Sequence, residues 1–132
     1  MAKARILLVE DDKGLGAAYR TRLETEGFDV RWCENGETAL SQVAEYKPDL
    51  ILLDLIMPKM NGFEVLYKLR QSPETAAIKV IILTALNKPS DIEHAKLLGA
   101  SDYLVKSQAV ISDVMDRIRY HLSESQNEKN PA

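Results

Sequence analysis

The sequence predicts an α/β fold, one parallel sheet with helices packed on both of its faces. Three observations carry the prediction. Five short runs of β-branched and aliphatic residues recur along the 132 residues. Several of these runs are continuously apolar instead of alternating, the pattern of strands covered on both sides. Between and after them lie segments whose apolar residues recur at helical spacing. A chain of this length is the size of one domain with one core. Its 45% hydrophobic and 28% charged residues are the composition of a soluble globular protein.

The first strand is Arg5 to Val9, and a helix with Leu15, Ala18, Tyr19 and Leu23 on one face follows it, with Gly27 suited to its C-terminal cap. The second strand is Asp29 to Cys33. Phe28, Val30 and Trp32 alternate there, which makes Trp32 a packing residue. A helix with Ala39, Leu40 and Val43 leads to the third strand, Leu50 to Leu53. Met57 to Gly62 then reads as a turn in which Pro58 sets φ and Gly62 permits positive φ. Asn61 with Glu64 resembles a capping box for the helix carrying Val65, Leu66 and Leu69. Val80 to Leu83 is the fourth strand. The helix after it carries Ile92, Ala95 and Leu98, with Ser90 and Glu93 as its capping box and Gly99 at its end. Tyr103 to Val105 is the fifth strand, and Ile111, Val114, Ile118 and Leu122 mark the last helix. His94 and His121 fall on helical segments among polar neighbours and need no function.

Parallel strands are joined by right-handed crossovers, so five βα units with helices on both faces make a doubly wound open sheet. The order 2-1-3-4-5, that of flavodoxin-like folds, is taken from precedent and makes strands 1 and 3 neighbours at the switch point. Residues 1–123 are read as the domain and 124–132 as a disordered tail or linker. The single cysteine, Cys33, excludes an internal disulfide and a cysteine-rich metal site, and reads as a buried thiol. A net charge of -3 gives no reason to expect nucleic-acid binding by this domain. No apolar run approaches the roughly 20 residues that cross a bilayer, and no signal-peptide pattern opens the chain, so a cytoplasmic location is expected.

Ligands of open α/β sheets bind beyond the carboxyl ends of the strands at the switch point. Here strand 1 runs into Glu10-Asp11-Asp12, strand 3 into Asp54, strand 4 into Thr84 and strand 5 into Lys106. Under the adopted order these groups share one rim. Crowded carboxylates repel, and a divalent cation offsets their charge. With only oxygen donors in the motif, Mg²⁺ or Mn²⁺ is favoured over Zn²⁺. The set suits phosphoryl transfer to a carboxylate, with Asp54 attacking phosphorus in line, Thr84 donating a hydroxyl hydrogen bond and Lys106 neutralising a phosphoryl oxygen. Taken singly, each has a plainer reading: Asp12 as a helix cap, Thr84 as a strand end, Lys106 as a surface charge. Their shared rim argues against those readings.

The pieces Ile6-Leu7-Leu8-Val9-Glu10-Asp11-Asp12, Asp54-Leu55-Ile56-Met57-Pro58-Lys59-Met60-Asn61-Gly62, Thr84-Ala85 and Gly99-Ala100-Ser101-Asp102-Tyr103-Leu104-Val105-Lys106 stand in a specific order and spacing. Up to about Ser123 the chain resembles the receiver domains of two-component response regulators. The resemblance implies that Asp54 is the phosphoacceptor, that Asp11, Asp54 and the Ile56 carbonyl bind Mg²⁺, and that Glu10 acts through a metal-bound water. It implies that Thr84 and Lys106 form a switch pair and that Tyr103 moves with Thr84. It further implies a phosphorelay switch that catalyses only its own phosphorylation and dephosphorylation. The donor would be a sensor histidine kinase or phosphotransfer protein. The face of helix 4, strand 5 and helix 5 would act on an output protein, an output domain or a second copy of the chain.

Two departures follow. The family's lysine is usually followed by a cis proline, whereas Lys106 precedes Ser107, and a cis bond there would cost about 2.5–4 kcal/mol, so a trans bond is expected. The apolar Ile56 and Leu86, two residues beyond Asp54 and Thr84, are expected to shield the acyl phosphate from water and lengthen its life. Two other classes fit less well. A phosphatase of the haloacid dehalogenase type wants a second Asp where Ile56 stands, and a flavin binder wants a phosphate loop that is absent.

Overall fold

Unbroken apolar strands are stable only where both faces are covered, and the chain meets that demand with ten alternating elements. The computed structural model describes residues 2–129, the side chains of 126–129 excepted. In order these are β1 (Arg5–Val9), α1 (Lys13–Thr25), β2 (Asp29–Cys33), α2 (Gly36–Tyr46), β3 (Leu50–Leu53), α3 (Gly62–Gln71), β4 (Lys79–Thr84), α4 (Pro89–Leu97), β5 (Asp102–Val105) and α5 (Ile111–Lys129). All strand pairs are parallel, in the expected order β2-β1-β3-β4-β5.

Side chains alternate across a strand, so each apolar run feeds two cores. Leu7, Val9, Ile51, Leu53, Val80 and Ile82 face α2 and α3, where they meet Val43, Val65, Leu66 and Leu69, with Ala95 of α4. Ile6, Leu8, Leu50, Leu52, Ile81 and Leu83 face α1 and α5, against Tyr19, Leu23, Val114, Met115 and Ile118. Burying each such side chain stabilises the fold by roughly 1.5–3 kcal/mol. β1, β3 and β4 share this, since Ile6 to Val9, Leu50 to Leu53 and Val80 to Leu83 are almost wholly inaccessible.

Short polar side chains start the helices. Asp12, Asn35 and Asn61 accept from the N–H groups of Leu15, Thr38 and Glu64 at 2.9–3.0 Å, each satisfying a donor the helix leaves unpaired. α4 differs from expectation. It begins at Pro89 after Lys88, with no side-chain cap bond, instead of at a Ser90–Glu93 capping box. Proline's fixed φ favours the first helical position, which draws the start ahead of Ser90. Gly27 and Gly99 do adopt positive φ, 97° and 100°.

α5 also runs further than expected. Residues 124–129 are helical where an irregular tail or linker was anticipated, while 130–132 lie outside the described residues. A nucleated helix extends at little cost per residue, and Glu124 adds ties to Tyr120 (2.7 Å) and Lys79 (3.9 Å). His121 keeps polar neighbours but is buried, its Nε2 2.9 Å from Asp102 Oδ2. α5 therefore carries an imidazole onto β5, which the local sequence does not reveal.

Candidate functional site

β1 and β3 pair Val9 with Leu53, so the residues that follow, Glu10 and Asp54, leave the sheet side by side. Their backbones are held to neighbouring strands: the Glu10 N–H donates to the Cys33 carbonyl (2.9 Å) and the Asp54 N–H to the Val9 carbonyl (3.1 Å). One carboxylate oxygen each from Glu10, Asp11 and Asp54 lies within 4.8 Å of the others. Glu10 and Asp54 are only 2% and 4% exposed, whereas Asp11 faces solvent. Into this cluster comes Lys106, from just beyond β5, with Nζ 2.8 Å from both Glu10 Oε1 and Asp54 Oδ2.

The charges are unevenly supported. Burial pushes the Glu10 carboxyl above its usual range, against the lowering effect of the Lys106 hydrogen bond and the Asp12 N–H, while the Asp54 charge adds to the rise. Burial also works against the Lys106 ammonium, but its bonds to Asp54 and Glu10 outweigh that and raise its pKa. Three carboxylates face one ammonium, so the cluster keeps a negative excess. Oxygen donors alone, two buried and one open to water, suit a hard divalent cation that retains part of its hydration.

The other predicted residues gather around this rim. Thr84 ends β4 fully buried. Its carbonyl accepts the Lys106 N–H at 2.8 Å, and its Oγ1 lies 3.4 Å from the Leu86 N–H. The Tyr103 hydroxyl donates to the Leu86 carbonyl at 2.8 Å; burial and the charges of Asp91 and Asp54 push its pKa up to about 12. The Ile56 N–H donates to Asp54 Oδ1 at 3.2 Å, and its side chain is half exposed. Asp12 caps α1, and its N–H donates to Glu10 Oε2 at 3.1 Å. No cis peptide bond occurs among the described residues, so Lys106–Ser107 is trans, as expected.

Residues 6–119 match the family model of the response regulator receiver domain. The chain is a member of that family. The receiver is 36% identical to the phosphate regulon transcriptional regulatory protein PhoB of Rhizobium meliloti, over 94% of this chain and 54% of the relative. It is 39% identical to the protein PilH of Pseudomonas aeruginosa, over 78% of this chain and 85% of that one. The crystal structure of a CheY-like response regulator receiver domain protein from Methanospirillum hungatei superposes with a TM-score of 0.89 at 26% identity, covering 96% of this chain and 99% of that one. The chain thus spans about half the length of PhoB and nearly all of the Methanospirillum hungatei structure. Its role is phosphorelay signalling within two-component systems. No described helix is long and apolar enough to cross a membrane.

Two features of the receiver's site escape sequence reasoning. Gly62 was expected to supply positive φ, yet the positive φ of that loop belongs to Lys59, at 69°. Gly62 instead lets α3 approach the phosphoacceptor loop: a Cβ there would stand 2.2 Å from the Asp54 carbonyl oxygen. The other is Trp32, whose indole Nε1 donates to the Glu10 carbonyl at 2.9 Å. Alternation along β2 identifies a packed ring but gives no signal of where its N–H points.

Proposed function

We propose that this receiver takes a phosphoryl group onto Asp54 from the phosphohistidine of a sensor histidine kinase or phosphotransfer protein, with Mg²⁺ bound by Asp11, Asp54 and the Ile56 carbonyl. Glu10 would act through a metal-bound water. The observation that carries the reading is the buried Asp54 carboxylate, grouped with Glu10 and Asp11 and bonded at 2.8 Å to Lys106.

An Asp54 oxygen attacks phosphorus, forming an O–P bond as the donor's P–N bond breaks; the electron pair stays on the imidazole nitrogen, which takes a proton from solvent. Asp11, Asp54 and the Ile56 carbonyl would hold the Mg²⁺, whose positive charge would offset that of the phosphoryl oxygens. Lys106 meets a further oxygen through its ammonium. The Ile56 N–H fixes the Asp54 side chain, and buried Thr84 offers a hydroxyl donor. Recruiting Thr84 alters its contact with the Leu86 N–H, and Leu86 in turn holds Tyr103. The change passes to the face of α4, β5 and α5, biasing a two-state equilibrium toward contact with an output protein, an output domain or a second copy. PhoB's printed role suggests transcriptional output as one case. The domain is assigned to residues 1–123, with α5 continuing past it to Lys129, and the protein is placed in the cytoplasm.

Intact-mass measurement after incubation with acetyl phosphate tests the reading. Wild type gains one phosphoryl group only with Mg²⁺, and Asp54→Asn gains none. Equal uptake by both proteins contradicts it.

A further inference from the structure

β2 is an edge strand, and on its half-buried face, packed against the core under α1 and α5, stands the chain's only tryptophan, Trp32. The Trp32 indole is fitted rather than merely placed. A Cβ on Gly16 of α1 would stand within 2.0–2.8 Å of three atoms of the ring, including Nε1, so only glycine leaves the gap that the indole fills. The Arg20 guanidinium lies over the ring, 5.4 Å from its centroid. Held between α1 and β2, the ring delivers its N–H to the Glu10 carbonyl at 2.9 Å.

We infer that Trp32 is a positioning residue for the cation-binding loop, acting through the peptide that joins Glu10 to Asp11. This inference rests on the metal role proposed above. Glu10 is fixed to β2 at both ends of its own backbone, through its N–H to the Cys33 carbonyl and through its carbonyl to the indole. The indole thus extends the β1–β2 ladder one step past the last paired residues, Val9 and Cys33. That step matters because Asp11, next in the chain, is the exposed member of the acidic trio. A carboxylate on an exposed loop must otherwise be ordered by the ion that binds it. Fixing the preceding peptide removes part of that ordering cost, so the bond tightens divalent binding. Neither Trp32 nor Gly16 belongs to the acidic trio, and the effect would reach the ion only through the direction in which Asp11 leaves the sheet.

The test is isothermal titration of the protein with MgCl₂. Replacing Trp32 with 3-benzothienylalanine keeps the bicyclic shape and removes only the N–H. With a single tryptophan, replacement at every tryptophan position is replacement at this one. The isostere is expected to raise the half-saturating Mg²⁺ about three- to ten-fold, and Gly16→Ala, which displaces the ring, shifts it the same way. Ile118→Val, a core change on α5 outside the loop, controls for loss of stability and leaves the midpoint in place. An isostere midpoint equal to wild type, in protein still phosphorylated from acetyl phosphate, overturns the role of Trp32 alone. Wild type that neither binds Mg²⁺ nor gains a phosphoryl group overturns the metal role and this inference together.

Discussion

Glu10 shares the Lys106 ammonium with Asp54 at 2.8 Å. Glu10 loses more by burial than its ion pair returns, so its carboxyl binds a proton more tightly in the folded chain than in the unfolded one. Above that raised pKa the ionised Glu10 therefore subtracts from stability, and protonation on acidification relieves the loss. In EDTA at neutral pH, Glu10→Gln should melt about 2–5 °C above wild type. The gap should close as the pH falls through the raised pKa toward the unfolded value of about 4.3, as thermal melts across pH will check. Ile56 makes a second residue-scale prediction. Its half-exposed apolar side chain stands beside Asp54, so Ile56→Asn, which offers water a hydrogen-bond partner there, should shorten the phosphorylated lifetime several-fold, read by intact mass over time.

Among the elements, α3 has the closest dealings with the phosphoacceptor. Asn61 caps it, and Gly62 lets its first turn rest on the Asp54 and Leu55 backbone. Asn61→Ala should cost about 1 kcal/mol, the loss of one cap. Gly62→Ala should cost about 2 kcal/mol or more, because a methyl group would meet backbone that cannot yield; chemical denaturation separates the two. The strands and helix faces were legible in the sequence because unbroken apolar runs and helical spacing are local signals. The start of α4 was not, since Pro89 and Ser90 make competing claims on the same turn. The extent of α5 was also hidden: a polar helix end reads like a tail until its contacts with β4 are known.

Across the whole molecule, Lys106 ties β5 to the ends of β1 and β3. Lys106→Met leaves two buried carboxylates without their ammonium and should destabilise the chain by about 1–3 kcal/mol, a figure reduced for the lysine's partial exposure. Mg²⁺ should then raise the melting temperature of Lys106→Met more than that of wild type, as a bound cation takes over the lost charge. The gathering of Glu10, Asp11, Asp54, Thr84 and Lys106 at one rim was legible once strand order was adopted, because strand ends fix where side chains emerge. The links between them were not. The Tyr103 to Leu86 bond and the Trp32 to Glu10 bond depend on side-chain directions set by tertiary packing.

The central claim is that the Asp54 carboxylate is the group that takes the phosphoryl. Borohydride reduces an acyl phosphate to an alcohol, so treating protein exposed to acetyl phosphate and Mg²⁺, followed by peptide mass mapping, marks the acceptor directly. The account predicts homoserine at position 54 and none when Mg²⁺ is withheld. Reduction at Glu10, Asp11 or Asp12 in its place, or at position 54 regardless of Mg²⁺, would contradict it.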